Sequence, residues 1–237
     1  KSGDSTQENS ALICNIVLRD LNSDKISNPV IGGLIGTMEE GTSADITFTN
    51  QFTGDLKISG TDHVGLFCNT MQAGSSLTAT FTSDQGAGKI SVEATESDKD
   101  AGGFVGHMET GASLTIAGTS VSSVVSSSGN AGGIVGSSVD GSVAVKVSEQ
   151  DTNNFQFADS ITLSAGSDKA AGGLIGSYSI TKAGKEFDLS SYQFIKSTIT
   201  GGKNVGGLFG ELKIKNTADT DAISVSISGN TENFDEN

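Results

Sequence analysis

Short runs in which apolar residues alternate with Ser, Thr or charged residues recur along the whole chain, each broken after a few positions by Gly, Asn or Asp. Asp45-Ile46-Thr47-Phe48-Thr49, Asp55-Leu56-Lys57-Ile58 and Ser113-Leu114-Thr115-Ile116 are examples, and Val121 to Val125 is another. An alternation of period two, rich in β-branched residues and bounded by turn formers, predicts short β-strands. No segment combines a helical apolar period with capping residues, so helix is not expected.

The runs are grouped by a repeated string. Gly32-Gly33-Leu34-Ile35-Gly36 returns as Gly102-Gly103-Phe104-Val105-Gly106, Gly132-Gly133-Ile134-Val135-Gly136, Gly172-Gly173-Leu174-Ile175-Gly176 and Gly206-Gly207-Leu208-Phe209-Gly210. A degenerate copy, Val64-Gly65-Leu66-Phe67-Cys68, lies in the widest gap. Counted on the second glycine, and on Gly65 in the degenerate copy, the steps are 32, 38, 30, 40 and 34 residues. A unit of roughly 34 residues with three short strands matches one turn of a β-solenoid, which buries its apolar face only by stacking on the next turn. The expectation is a right-handed parallel β-helix of about seven turns, ~34 Å long at ~4.8 Å per stacked strand. A hairpin-built sandwich would not bring back one identical string per unit. The chain reads as a single solenoid domain over 1–237, with an N-terminal turn or cap at 1–30, repeats at 31–215 and a C-terminal end at 216–237.

The Gly-Gly-apolar-apolar-Gly string resembles the GLUG-type repeat of bacterial cell-surface proteins over residues 31 to 215. The resemblance implies a parallel β-helix and an exported structural, adhesive or repeat region of a larger protein. It names no ligand.

Strict alternation through the motif would place Leu34, Gly36 and Met38, and likewise Phe104, Gly106 and Met108, toward the lumen. Ile35, Phe67, Val105, Val135, Ile175 and Phe209 would then form an outward apolar stripe, a candidate interaction surface. Three readings stay open for it. The glycines could bend the strand and turn both apolar residues inward. Another segment could cover the stripe. Or the stripe is a partner surface. Cys68, in place of an inward glycine, reads as a buried free thiol, and pairing with Cys14 is not favoured.

Composition narrows the partners. The net charge of -14, with 28 acidic against 14 basic residues, disfavours nucleic acid and anionic membrane surfaces. A host or cell-surface protein or a glycan is the expected partner class; the oligomeric state is not specified. No membrane span or export signal stands in the chain, and the polar start, Lys1 to Ser10, is expected to be an artificial boundary with targeting segments beyond it. The absence of Asn-x-Ser/Thr leans away from a eukaryotic glycoprotein.

Phosphate-loop, dinucleotide, HExxH and nucleophile-elbow strings are missing. The two histidines, His63 and His107, fall in separate repeats, which argues against a zinc site, and no cofactor or catalytic residue is assigned. The carboxylates Glu39, Glu40, Asp45, Asp62, Asp98, Asp100 and Glu109 are candidates for paired acid chemistry, but most of them read as turn residues. The acids of the tail, Asp219 to Glu236, read as a polar end. The expected function is an extracellular surface module, with a carbohydrate-active β-helix lyase or hydrolase as the alternative.

Overall fold

The computed structural model describes residues 11–19, 30–31, 33–51, 54–83, 88–118, 123–145, 155–156, 161–182, 185–189, 192–193, 197–215 and 225–229. Among them every regular element is a strand, and every strand pairing is parallel. The fold is a parallel β-solenoid.

Each turn visits four sheets in the same order. A long strand such as Ser76–Ser83 leads to a side strand such as Ile90–Ala94. A two-residue glycine strand, Ala101–Gly102, then precedes a motif strand, Val105–Met108. The long-strand sheet holds seven strands, the side sheet six, the motif sheet six and the glycine-strand sheet five. Because the shortest of these four sheets is five strands deep, fewer turns than the expected seven pass through all four. The expected caps at 1–30 and 216–237 fall largely outside the described residues, as do the tail acids and the side chain of Cys14.

One corner of the turn has a fixed backbone requirement. Gly41, Gly74 and Gly111 have φ values of 69, 68 and 75° and each stands two residues before a long strand. Asp140 takes the same place with φ 50°. A non-glycine residue is tolerated there because its short side chain finds local partners. Asp140 Oδ1 accepts from Thr181 N at 2.7 Å and Lys182 N at 3.2 Å, and Oδ2 accepts from the Thr181 hydroxyl. The corner of one turn is thereby tied to the next.

The lumen is filled by the inward positions of all sheets. Phe48 stacks on Phe81 at 5.7 Å and Phe67 on Phe104 at 5.2 Å, while Phe48–Phe67 and Phe81–Phe104 meet edge to face at 6.3 and 6.5 Å. These four rings join the long sheet to the motif across two turns, in geometries favoured by the ring quadrupole.

The motif departs from strict alternation, and the outward stripe is corrected. Phe67, Val105, Val135 and Ile175 are 0% exposed, and Ile35 and Phe209 are half-buried against the core. Their neighbours Phe104, Ile134 and Leu174 are fully buried too. The chain bends at Gly103-Phe104, and the parallel register passes over the closing glycine in every pair, running from Val105↔Val135 straight to His107↔Ser137. A bend before and a kink after let consecutive apolar residues both face the core. Of the three readings, the bending glycines hold.

The degenerate copy also shifts by one residue. Val64 pairs with Ala101 and Gly65 with Gly102, and Cys68 pairs with both Ile35 and Val105. Leu66 therefore replaces the second glycine and Asn69 the closing one. Cys68 is a buried free thiol as expected, but in an apolar position. Burial pushes its pKa up to about 11.

Charge introduced at either motif residue tests the bend. Phe104→Asp and Val105→Asp should each lose about 3–5 kcal/mol of stability in urea unfolding, from lost packing and a buried carboxylate. Val105→Asp remaining within about 1 kcal/mol of the parent would put that residue back on the surface.

Candidate functional site

The glycine strand and the motif strand press together so closely that backbone meets backbone. A Cβ at Gly106 would lie 2.5 Å from Val64 N and 2.9 Å from the His63 carbonyl carbon. Only glycine permits that approach. The same contact brings His107, the next residue, against His63. Their rings stack with centroids 4.9 Å apart and planes 26° apart.

Register supplies the third member. His63 and Asp100 stand immediately before Val64 and Ala101, which are paired neighbours, so they are stacked one turn apart. Asn130 stands before Ala131, paired in turn with Ala101, and continues the row. Ser137 sits beside His107 in the motif sheet. A cluster of His63, Asp100, His107, Asn130 and Ser137 results, drawn from residues far apart in sequence.

Asp100 is buried, 5% exposed, with three hydrogen-bond donors on its carboxylate. Asn130 N and Nδ2 donate to Oδ1 at 2.7 and 2.8 Å, and the Ser137 hydroxyl donates to Oδ2 at 2.5 Å. Oδ2 also lies 3.5 Å from His63 Nδ1. The Asp100 backbone N–H donates to His63 Nδ1 at 3.0 Å.

Hydrogen accounting then assigns both imidazole tautomers. His63 Nδ1 accepts, so the neutral ring carries its proton on Nε2. Ser137 has one proton and gives it to Asp100, so His107 Nδ1, 2.7 Å from Ser137 Oγ, donates to the hydroxyl. His107 Nε2 keeps its lone pair. Burial holds both rings below the ordinary value of 6.5; repulsion from Lys99 adds to this at His63, and repulsion from His63 at His107. Asp100 opposes the shift at both.

The chemistry available follows from this order. Hydrogen bonds run carboxylate to hydroxyl to imidazole, whereas a serine nucleophile needs the imidazole in the middle. Ser137 is also buried. It is a linker between Asp100 and His107. What the cluster offers is two neutral imidazoles and one carboxylate oxygen, whose ligand atoms all lie within 4.8 Å of one another. Those residue types bind transition metals.

Sequence reasoning set the two histidines apart because they occupy different repeats. The missed signal was phase. Aligned as the structure pairs them, His63 and Asp100 hold the same place before the short strand. Alignment of the degenerate copy one residue off concealed it. Of the other candidate carboxylates, Asp45 lies in a long strand, half-buried Glu109 follows a motif strand, and the rest stand in turns. Glu39, Glu40, Asp45, Asp62 and Asp98 are exposed. Asp62 pairs with Lys99 of the next turn at 2.7 Å, and Asp98 pairs with Lys169 two turns on. The six residues of the expected stripe belong to the core and lie outside this cluster.

Comparison with protein-family models, with curated proteins and with solved structures returned no match.

The neutral rings give a pH dependence. Because their folded pKa lies below the unfolded one, the unfolded chain binds more protons, and stability falls as pH drops below about 6.5. Urea midpoints in chelator-containing buffer should decrease from pH 7.5 to pH 5, above the range where exposed carboxylates titrate. The slope should flatten in a His63→Gln His107→Gln variant. A midpoint that stays level or rises would contradict neutral, buried imidazoles.

Proposed function

We propose that this chain is a repeat module of a larger bacterial surface protein, structural or adhesive in role and displayed outside the cell. The observation that carries the reading is that the motif is consumed by backbone stacking. Gly102, Gly132, Gly172 and Gly206 would each place a Cβ within 2.0 Å of a backbone oxygen. What the sequence repeats is therefore the rod itself, with its faces left free to vary.

Those faces are rows of small polar side chains. Ser43, Ser76, Ser113 and Ser142 form one row along the long sheet, and Asp45, Thr78, Thr115 and Ala144 another. Steps of ~4.8 Å between equivalent strand positions make a periodic surface. Such a surface suits repeated contacts with an extended glycan or protein strand. The resemblance to GLUG-type repeats supports the same placement.

One observation favours the enzyme alternative, namely a neutral His107 imidazole joined to a buried carboxylate through Ser137. An imidazole in that state can serve as a general base. Asp140, the other buried carboxylate among the described residues, is held at its corner by Thr181 and Lys182, so the second acid of a common glycosidase would have to come from a more exposed position.

Two assays on the full-length protein separate the readings. Antibodies raised against the folded chain should label intact cells of the source organism. A panel of plant, host and bacterial polysaccharides should yield no new reducing ends or unsaturated products. Labelling only after permeabilisation would refute display, and turnover abolished by His107→Gln would establish the enzyme.

A further inference from the structure

Asp100 is a buried carboxylate whose three hydrogen bonds come from neutral donors. A buried carboxylate is costly without a compensating cation. Among the described residues its one ion-pair contact is the His63 ring, and burial favours the neutral form of that ring. About four lone-pair positions are available on a carboxylate. Two donors occupy Oδ1 and one occupies Oδ2, which leaves a position on Oδ2, the oxygen nearest His63.

We propose that His63, Asp100 and His107 form a binding site for one divalent transition-metal ion of the zinc, cobalt or nickel class. Their ligand atoms all lie within 4.8 Å of one another. Tetrahedral ligands ~2.0–2.1 Å from a zinc ion stand ~3.3 Å apart, so closure asks for side-chain adjustments on the order of 1 Å. Two imidazole nitrogens with one carboxylate oxygen select this class over calcium or magnesium, which prefer all-oxygen shells. Three protein ligands leave a fourth position open to water or an external ligand.

The surrounding groups orient the donors as outer partners of metal sites do. Ser137 holds Asp100 Oδ2 and His107 Nδ1 together, which turns the Nε2 lone pair of His107 outward from that bond. Asn130 fixes the far oxygen of Asp100. At His63 an ion bound through Nδ1 takes over the lone pair that now accepts the Asp100 N–H. The site stands on these residues alone and does not depend on the surface role.

The test uses tag-free protein, because the chain has only 2 histidines and its imidazole NMR spectrum reports this site alone. Calorimetry with zinc chloride should give one equivalent with a Kd on the order of micromolar or tighter. Cobalt chloride should perturb both histidine rings together at the same stoichiometry. Millimolar magnesium or calcium should leave them unchanged. His63→Gln and His107→Gln should each weaken zinc at least about tenfold. Asp98→Asn, on an exposed turn, should not. Absence of zinc binding, a cobalt response from only one ring, or undiminished affinity in the double histidine variant would overturn the site. Should the double variant fail to fold by circular dichroism, the cobalt response of the parent protein decides.

Discussion

The structure depends on backbone touching backbone at glycine. In the inner turns a strand of two or three residues lies against the motif strand at a separation that leaves no room for a Cβ. The closing glycines Gly106, Gly136, Gly176 and Gly210 face Val64, Ala101, Ala131 and Ala171 of the preceding glycine strand. The first glycines Gly102, Gly132 and Gly172 face the motif strand in return. Parallel hydrogen bonds between turns set the vertical spacing, and these contacts set the fold of the turn across it.

Two consequences follow from that one contact. The bend that carries the chain from the glycine strand to the motif strand turns both central residues of the motif into the lumen, so the core gains two apolar side chains per turn instead of one. The same approach sets the residue before one short strand against the residue after a closing glycine. Most turns place small or polar residues there, such as Asn130 and Ser177. In one place they are His63, Asp100 and His107, and a scaffold contact becomes a chemical cluster.

Much of the fold was legible because glycine and alternation each have a direct physical meaning. The recurring motif gave parallel stacking, and Ser113-Leu114-Thr115-Ile116 gave a strand with Leu114 and Ile116 inward. The buried thiol of Cys68 was expected as well, although at a closing-glycine position and not at the apolar position it holds. Val105 was misplaced because alternation holds only within an unbroken strand, and a bend at Gly103-Phe104 intervenes. The cluster was hidden for a different reason. Neighbours in a solenoid are a full turn apart in sequence, so a one-residue error in aligning Val64-Gly65-Leu66-Phe67-Cys68 moves His63 out of phase with Asp100. The partnership of Ser137 with both Asp100 and His107 left no local trace in the sequence.

Adding a single methyl group at two equivalent glycines tests the central contact most directly. Gly136 is the closing glycine of an inner turn, where a Cβ would lie 2.5 Å from Gly106 O and 2.9 Å from the Ala101 backbone. Gly36 is the closing glycine of the first described motif, where a Cβ would meet nothing within 4 Å. Urea unfolding of Gly136→Ala should show a loss of at least about 2 kcal/mol, because backbone cannot yield as a side chain does. Gly36→Ala should stay within about 1 kcal/mol of the parent. Equal, small effects at both positions would contradict the account, since the turn would then not depend on glycine for its close packing.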